Sequence, residues 1–462
     1  MKREHRGNAE VLVSVTPFGR RAAVVDGRGR VVSFYVEVAG EESQVGDIWR
    51  GRVSRPVSGH DAVFVELGGG VEAMLPEHGE PGQMAVVQVT RDGFANKGPR
   101  VTTEIEFAGR LLVYRPHGKT DNTARELRDP AERERIATLL GSIERPSGSF
   151  TARSLAEGAN IAPLAAEAKV LIARAESVTA AAGSGTTADE PVRLADAGGL
   201  VGRLLRETAP PGAGIHFDDR DACDAAIARA RAEVPSLAGA IGLAGDKDLF
   251  ERHDVDAQWG TALGANVPLG SGGRLIIEET AACVAIDVDA GTGARRGAQE
   301  KASREAVEAA AAEIILRNLA GLIAIDLPGD VGRRTGKELA AAMRKALRAD
   351  RVSADVLGVS HAGVMEVTRR RVGPSLMGAL TEEDTSMPWP ARRWQLAALA
   401  FEVARRARIE WVAGARGLII RAAPPLARML AKNDPIGTWL TMTVTIEPDA
   451  ALSLEKWEVR TA

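Results

Sequence analysis

Two apolar runs in this sequence end on an aspartate in the same way. CVAID closes on Asp287 and GLIAID on Asp326. Each reads as a buried strand that carries a carboxylate at its C-terminal end, the edge where open α/β sheets bind ligands. Asp289 stands two residues beyond Asp287 and shares its face if the strand continues. Asp330 follows Asp326 by four residues. Carboxylates gathered at one sheet edge repel one another unless a cation lies among them. Mg2+ suits such a place, because it takes oxygen ligands, keeps several waters and needs only one or two protein carboxylates beside a substrate phosphate. There it lowers the pKa of bound water and neutralises charge on a phosphoryl oxygen. The competing reading is structural: Asp287 opens the Gly291/Gly293 loop and Asp326 precedes a helix, so each caps the element that follows. Two matched strand ends with Asp289 beside them favour the metal site.

Cations lie close by in sequence. Residues 331–351 hold Arg333, Arg334, Lys337, Arg344, Lys345, Arg348 and Arg351 against Glu338 and Asp350. Arg295 and Arg296 follow the first aspartates, and Arg369, Arg370 and Arg371 form a triplet. Such charge beside a carboxylate–metal site fits a polyanion, although any one of these residues reads equally well as part of a solvated face. Nearer the N-terminus, Phe64 alternates with Val63 and Val65, so its ring is either core or a stacking surface for a base. Lys97, in ANKGPR, is placed to contact phosphate. The seven histidines show no HxH or HExxH spacing, and Cys223 and Cys283 form no CxxC pair, so no zinc site is legible.

The elements that must position these residues follow from periodicity. EVLVSV, RAAVV and VVSFYVEV within 9–38 read as three strands, the last two joined by a turn at Asp26-Gly27. Five short strands between 45 and 107 suggest a small closed barrel, of which the OB-fold is the common nucleic-acid-binding form. A charged helical stretch follows to Arg135, then a strand at 149–154, helices at 162–180 and 192–207, a strand at 214–219 and a helix at 221–233. From Gly273 the pattern becomes α/β: strands at 274–279, 283–289, 321–326 and 354–360, with helices at 298–319 and 333–350. TEEDTSMPWP (381–390) reads as a connection to an α+β tail. That tail has helices at 392–409 and 424–432, a strand at GLIIRA and strands near 437–446 and 453–460. With 62 acidic and 59 basic residues the chain carries a formal charge of −3, which excludes a globally basic nucleic-acid coat. The charged N-terminus MKREHRGNAE and the lack of a long apolar run point to a cytoplasmic protein with no membrane span.

These motifs resemble the ribonuclease E/G family nearly end to end. The likeness is strongest in GGRLIIEETAACVAIDVDAG (272–291), EAVEAAAAEIILRNLAGLIAIDL (305–327) and GVMEVTRRRVGPSL (363–376). It implies a Mg2+-dependent endoribonuclease, with Mn2+ as a substitute, that hydrolyses single-stranded RNA in RNA processing and decay. Asp287 and Asp326 match the family's catalytic metal-binding aspartates. Asp289 matches a third catalytic position that is usually asparagine. Phe64 and Lys97 match the RNA contacts of the family's barrel, and a second aromatic contact falls at Met74. Arg153 and Ser154 match an Arg-Thr pair that senses a 5′-monophosphate. The cysteine motif through which many members share a zinc between subunits is absent from TEEDTSMPWP, so no structural zinc is expected, and a homodimer would have to form without that link. The implied fold class is α/β and α+β multidomain. An RNase H-like subdomain (1–37 and 205–265) is interrupted by an OB-fold barrel (38–110) and a 5′-sensor region (111–204). A deoxyribonuclease-like catalytic subdomain (266–380), a linker (381–390) and a small C-terminal domain (391–462) follow. The alternative is a catalytically impaired RNA-binding homologue or an assembly factor for RNA processing.

Overall fold

The structure is a computed structural model, and it describes residues 8–93, 98–183, 190–245, 248–290, 296–329, 331–384 and 391–462. The chain divides into two compact units. One comprises residues 1–41, 212–220 and 242–462; the other comprises 42–211 and 221–241. No helix among the described residues is long and apolar enough to cross a membrane.

The first unit begins with the three strands read from sequence: β1 (Glu10–Thr16), β2 (Gly19–Val25) and β3 (Val31–Val38). They form an antiparallel meander, and Gly214–Phe217 adds in parallel to β1, with Glu10 opposite Gly214 and Val13 opposite Phe217. Alternate residues Leu12, Ala23, Val25 and Phe34 pack with Phe250, Trp259 and Leu376 in one apolar cluster. The α/β layer is a six-stranded sheet. Its order is Asn266–Pro268, Arg274–Glu279, Val284–Asp289, Gly321–Asp326, Val364–Arg369 and Ala354–Val359. Helices Arg296–Leu316 and Arg333–Ala346 cover one face. Val307, Ala310, Ile314, Leu339 and Met343 pack there against Ile286, Ile323 and Ile325.

The second unit contains the barrel. Strands β4 (Ile48–Pro56), β5 (Val63–Glu66), β6 (Glu72–Leu75), β7 (Met84–Arg91) and β8 (Arg100–Thr102) pair in the order β4-β5-β6-β8-β7, and β7 closes back onto β4. This is a closed five-stranded barrel, consistent with an OB-fold. Val53, Val63, Val65, Ala73, Leu75, Val87, Val89 and Val101 fill it, one face of each strand pointing inward.

Several segments differ from their sequence reading, and the charged stretch before Arg135 is helical only from Pro130, after a short strand at Asn122–Thr123. Residues 192–195 form a strand on the edge of β4 instead of the start of a helix, with Val192 opposite Arg50. The helix waits for Gly198, at φ 81°, and then runs as Gly199–Arg203 followed by a five-residue π turn. Part of the expected linker is also a strand: Thr381–Glu383 pairs with Arg392–Trp394, and Arg393 bridges to Glu382 at 2.8 Å. In the tail, Pro435–Leu440 is helical because Asp434 accepts from the Gly437 N–H at 3.1 Å and Pro435 occupies the first turn. The strand begins only at Thr443. Finally, Val364–Arg369, seen in sequence only as part of a charged motif, is a strand whose Met365, Val367 and Arg369 are buried in alternation.

Candidate functional site

Strands Val284–Asp289 and Gly321–Asp326 are the parallel pair at the centre of the six-stranded sheet. Ile286 lies opposite Ile325, both essentially fully buried under the helices. One residue on, Asp287 lies opposite Asp326. Alternation turns both aspartates to the uncovered face, where both are exposed. Neighbouring strands lie about 4.8 Å apart, so the two carboxylates rise side by side from the C-terminal ends of their strands. Among the described residues neither has a hydrogen-bond or ion-pair partner. Asp289 sits two residues further along the same face. Arg274, its cross-strand neighbour, bridges to it at 3.2 Å. No group of three or more His, Cys, Asp or Glu side chains among the described residues is gathered closely enough to hold a metal ion. The side chains that could hold a cation here are the exposed pair Asp287 and Asp326. That matches a cation which binds through one or two carboxylates and keeps its waters.

The basic residues noted in sequence separate into two kinds, and Arg369, opposite Gly321, stands at the other end of the strand from Asp326. Arg369 is buried, donating to Asp350 at 2.6 Å and to the Leu319 carbonyl at 3.0 Å. It ties the end of the helical layer to the sheet and is not presented to a polyanion. Arg344 donates to the Val356 carbonyl. Lys337, Lys345 and Arg348 are exposed along the helix and its 3-10 extension. Asp330, Gly291, Gly293 and Arg295 lie outside the described residues.

Phe64, Arg153 and Ser154 belong to the second unit. Phe64 is half-buried on the outer side of β5, between the inward-facing Val63 and Val65. Met74 lies directly opposite it on β6, so the two positions singled out in sequence are cross-strand neighbours. The ring of Phe64 is not open: the Arg55 guanidinium carbon lies 4.3 Å from its centroid. Sequence reasoning did not single out Arg55. Lys97 lies outside the described residues.

Arg153 follows strand Ser149–Ala152 and opens a single 3-10 turn that includes Ser154, which is exposed. Its guanidinium donates to the Gly109 carbonyl at 2.8 Å and bridges to Glu207 at 3.5 Å. Glu167 is nearby and buried, accepting from the Leu111 and Leu112 N–H groups at 2.7 and 2.8 Å. Burial pushes its carboxyl pKa up, against those hydrogen bonds and the charge of Arg153. The Arg153 fork is thus already engaged by a carbonyl and a carboxylate.

Comparison with known proteins places the chain among relatives of one family. A family model described as "Ribonuclease E/G family" matches residues 106–372. Ribonuclease G of Escherichia coli (strain K12) is 28% identical over 460 residues, spanning 92% of this chain and 93% of that protein. Ribonuclease G of Haemophilus influenzae Rd is 27% identical over 460 residues, spanning 93% of each. Ribonuclease E of Escherichia coli (strain K12) is 27% identical over 386 residues, which cover 77% of this chain and 36% of that longer protein.

Proposed function

Because this chain belongs to the ribonuclease E/G family, we propose that it is a cytoplasmic endoribonuclease that hydrolyses phosphodiesters of single-stranded RNA with Mg2+. The observation that carries this reading is the Asp287–Asp326 pair: in register, exposed and without a counter-charge among the described residues. Two like charges on adjacent strands favour a shared divalent cation. Asp287 and Asp326 would hold the Mg2+, which would supply a water of lowered pKa and neutralise phosphoryl charge. Asp289, braced by Arg274, presents its carboxylate on the same face to orient water near the pair. Phe64 and Lys97 hold the strand on the barrel through base and phosphate contacts. Arg153 and Ser154 read a 5′-phosphate, Arg153 exchanging its present partners for phosphate oxygens. The RNase H-like, sensor and deoxyribonuclease-like subdomains implied by the family likeness belong to the same proposal.

The test is cleavage of a 5′-monophosphorylated AU-rich oligonucleotide by the full chain, with Mg2+ and with EDTA. We expect cleavage only with Mg2+. The Asp287→Asn, Asp326→Asn double variant should be slower by on the order of 10³-fold, since metal activation accounts for several kcal/mol of a hydrolytic barrier. Equal rates with and without EDTA sink the metal mechanism. RNA binding without cleavage under any condition supports a second reading, an RNA-binding homologue that has lost catalysis, which the engagement of Asp289 by Arg274 favours.

A further inference from the structure

Strand β4 does not run evenly along β5. Val53 lies opposite Val65, but Phe64 lies opposite Arg55 and Val63 opposite Pro56. Ser54 is therefore an extra residue, a β-bulge. With even pairing, Ser54 would face Phe64, and Arg55 would face the buried Val63 and point with Val53 into the barrel core. The bulge turns Arg55 outward instead. It completes a row across four strands: Arg55 on β4, Phe64 on β5, Met74 on β6 and Arg100 on β8. At about 4.8 Å per strand the row spans about 14 Å of outer barrel surface.

Within this row Arg55 is fixed. Its guanidinium lies over the Phe64 ring and donates to Glu72 Oε2 at 2.7 Å. The bulged Ser54 donates its hydroxyl to the other Glu72 oxygen at 2.8 Å. One residue inserted into β4 thus aims the arginine and also helps hold the carboxylate that tethers it. The Arg55 side chain is 59% exposed, so the outermost layer of the platform is a guanidinium and not a ring.

We infer that Arg55, backed by Phe64 and tethered by Glu72, is the surface on which the barrel stacks an RNA base. The inference rests on the reading of the barrel as an RNA-binding module and extends it to residues to which the likeness gives no role. Guanidinium planes stack bases as aromatic rings do, and a ring behind the cation reinforces it. Glu72 offsets the charge of Arg55, so the contact selects a flat base more than a phosphate. The tether also limits the freedom that the side chain loses on binding.

The experiment uses the full chain in EDTA and a single-stranded oligonucleotide carrying 2-aminopurine, with affinity and fluorescence quenching measured over a range of salt. Arg55→Ala should weaken binding about tenfold, in line with the loss of one stacked base, and remove quenching. Arg55→Lys, which keeps the charge without the plane, should also lose quenching while keeping the salt dependence. Tighter or unchanged binding by Arg55→Ala, with binding still lost in Phe64→Ala, makes Arg55 a cover or a bystander. That result overturns the inference and leaves the barrel reading in place. Unchanged binding in both variants overturns both.

Discussion

Asp289 stands beside the carboxylate pair yet is braced by Arg274 across one strand spacing. If its task is to orient water, the amide can do it as well as the acid. Asp289→Asn should keep Mg2+-dependent cleavage within about tenfold of the parent, whereas a loss near 10³-fold would make it an indispensable ligand. A second aspartate has a clear pH signature. Asp218 is buried, accepts from the Ser14 hydroxyl at 2.7 Å and the Val15 N–H at 2.9 Å, and lies 3.5 Å from Arg408. Burial nevertheless dominates, and its pKa is pushed up to about 6 from an ordinary 3.8. A carboxyl whose pKa rises on folding stabilises the fold in its protonated form. That contribution is full below about pH 4 and is lost as pH rises through about 6, and it amounts to at most about 3 kcal/mol. Urea unfolding at pH 4.5 and 7.5 should show a difference that narrows in Asp218→Asn.

Among the elements, β4 has the most to do, since it pairs with β5 on one side, β7 on the other and Val192–Ala195 at its start. Gly51 lets these strands approach: a Cβ there would lie 2.5 Å from Val65 Cγ1 and 2.8 Å from the Glu66 carbonyl oxygen. Gly51→Ala should therefore overpack the barrel and cost about 1–3 kcal/mol, read as a lower urea midpoint for the second unit. The same strand marks the limit of sequence reading. CVAID and GLIAID are legible because a parallel strand covered by helices is a continuous apolar run, and the polar residue that ends it stands out. RVSRPV gives no such signal. Strict alternation assigns Arg55 to the core, and only the partner strand reveals the bulge that turns it outward. Val364–Arg369 escaped for a related reason. Its buried Arg369 looks solvent-facing until Asp350 is seen beside it. Pro435–Leu440 and Val192–Ala195 depart from their sequence pattern because a side-chain cap and an edge pairing outweigh local propensity.

For the molecule as a whole, the tail is bound to the rest of the first unit by charge as well as by apolar packing. Arg21 on β2 is buried between the rings of Trp259 and Phe401, its guanidinium carbon 4.5 and 4.3 Å from them, and pairs with Glu402. Arg405 adds bridges to Asp248 at 2.8 Å and Asp256 at 3.0 Å. Removing one member strands the rest, so Glu402→Ala should cost about 3 kcal/mol, measured by chemical denaturation of the full chain. The parallel pairing of β1 with Gly214–Phe217 has a consequence for biosynthesis. The Ser14–Asp218 contact joins residues 204 positions apart, so the leading hairpin leaves the ribosome long before its neighbour strand is translated. At 5–20 residues per second the delay is about 10–40 s. During that time the first strand of the nascent polypeptide has a bare backbone edge, while the inserted barrel is already complete enough to fold. Translation speed through the insert thus sets how long that edge is open to misjoining.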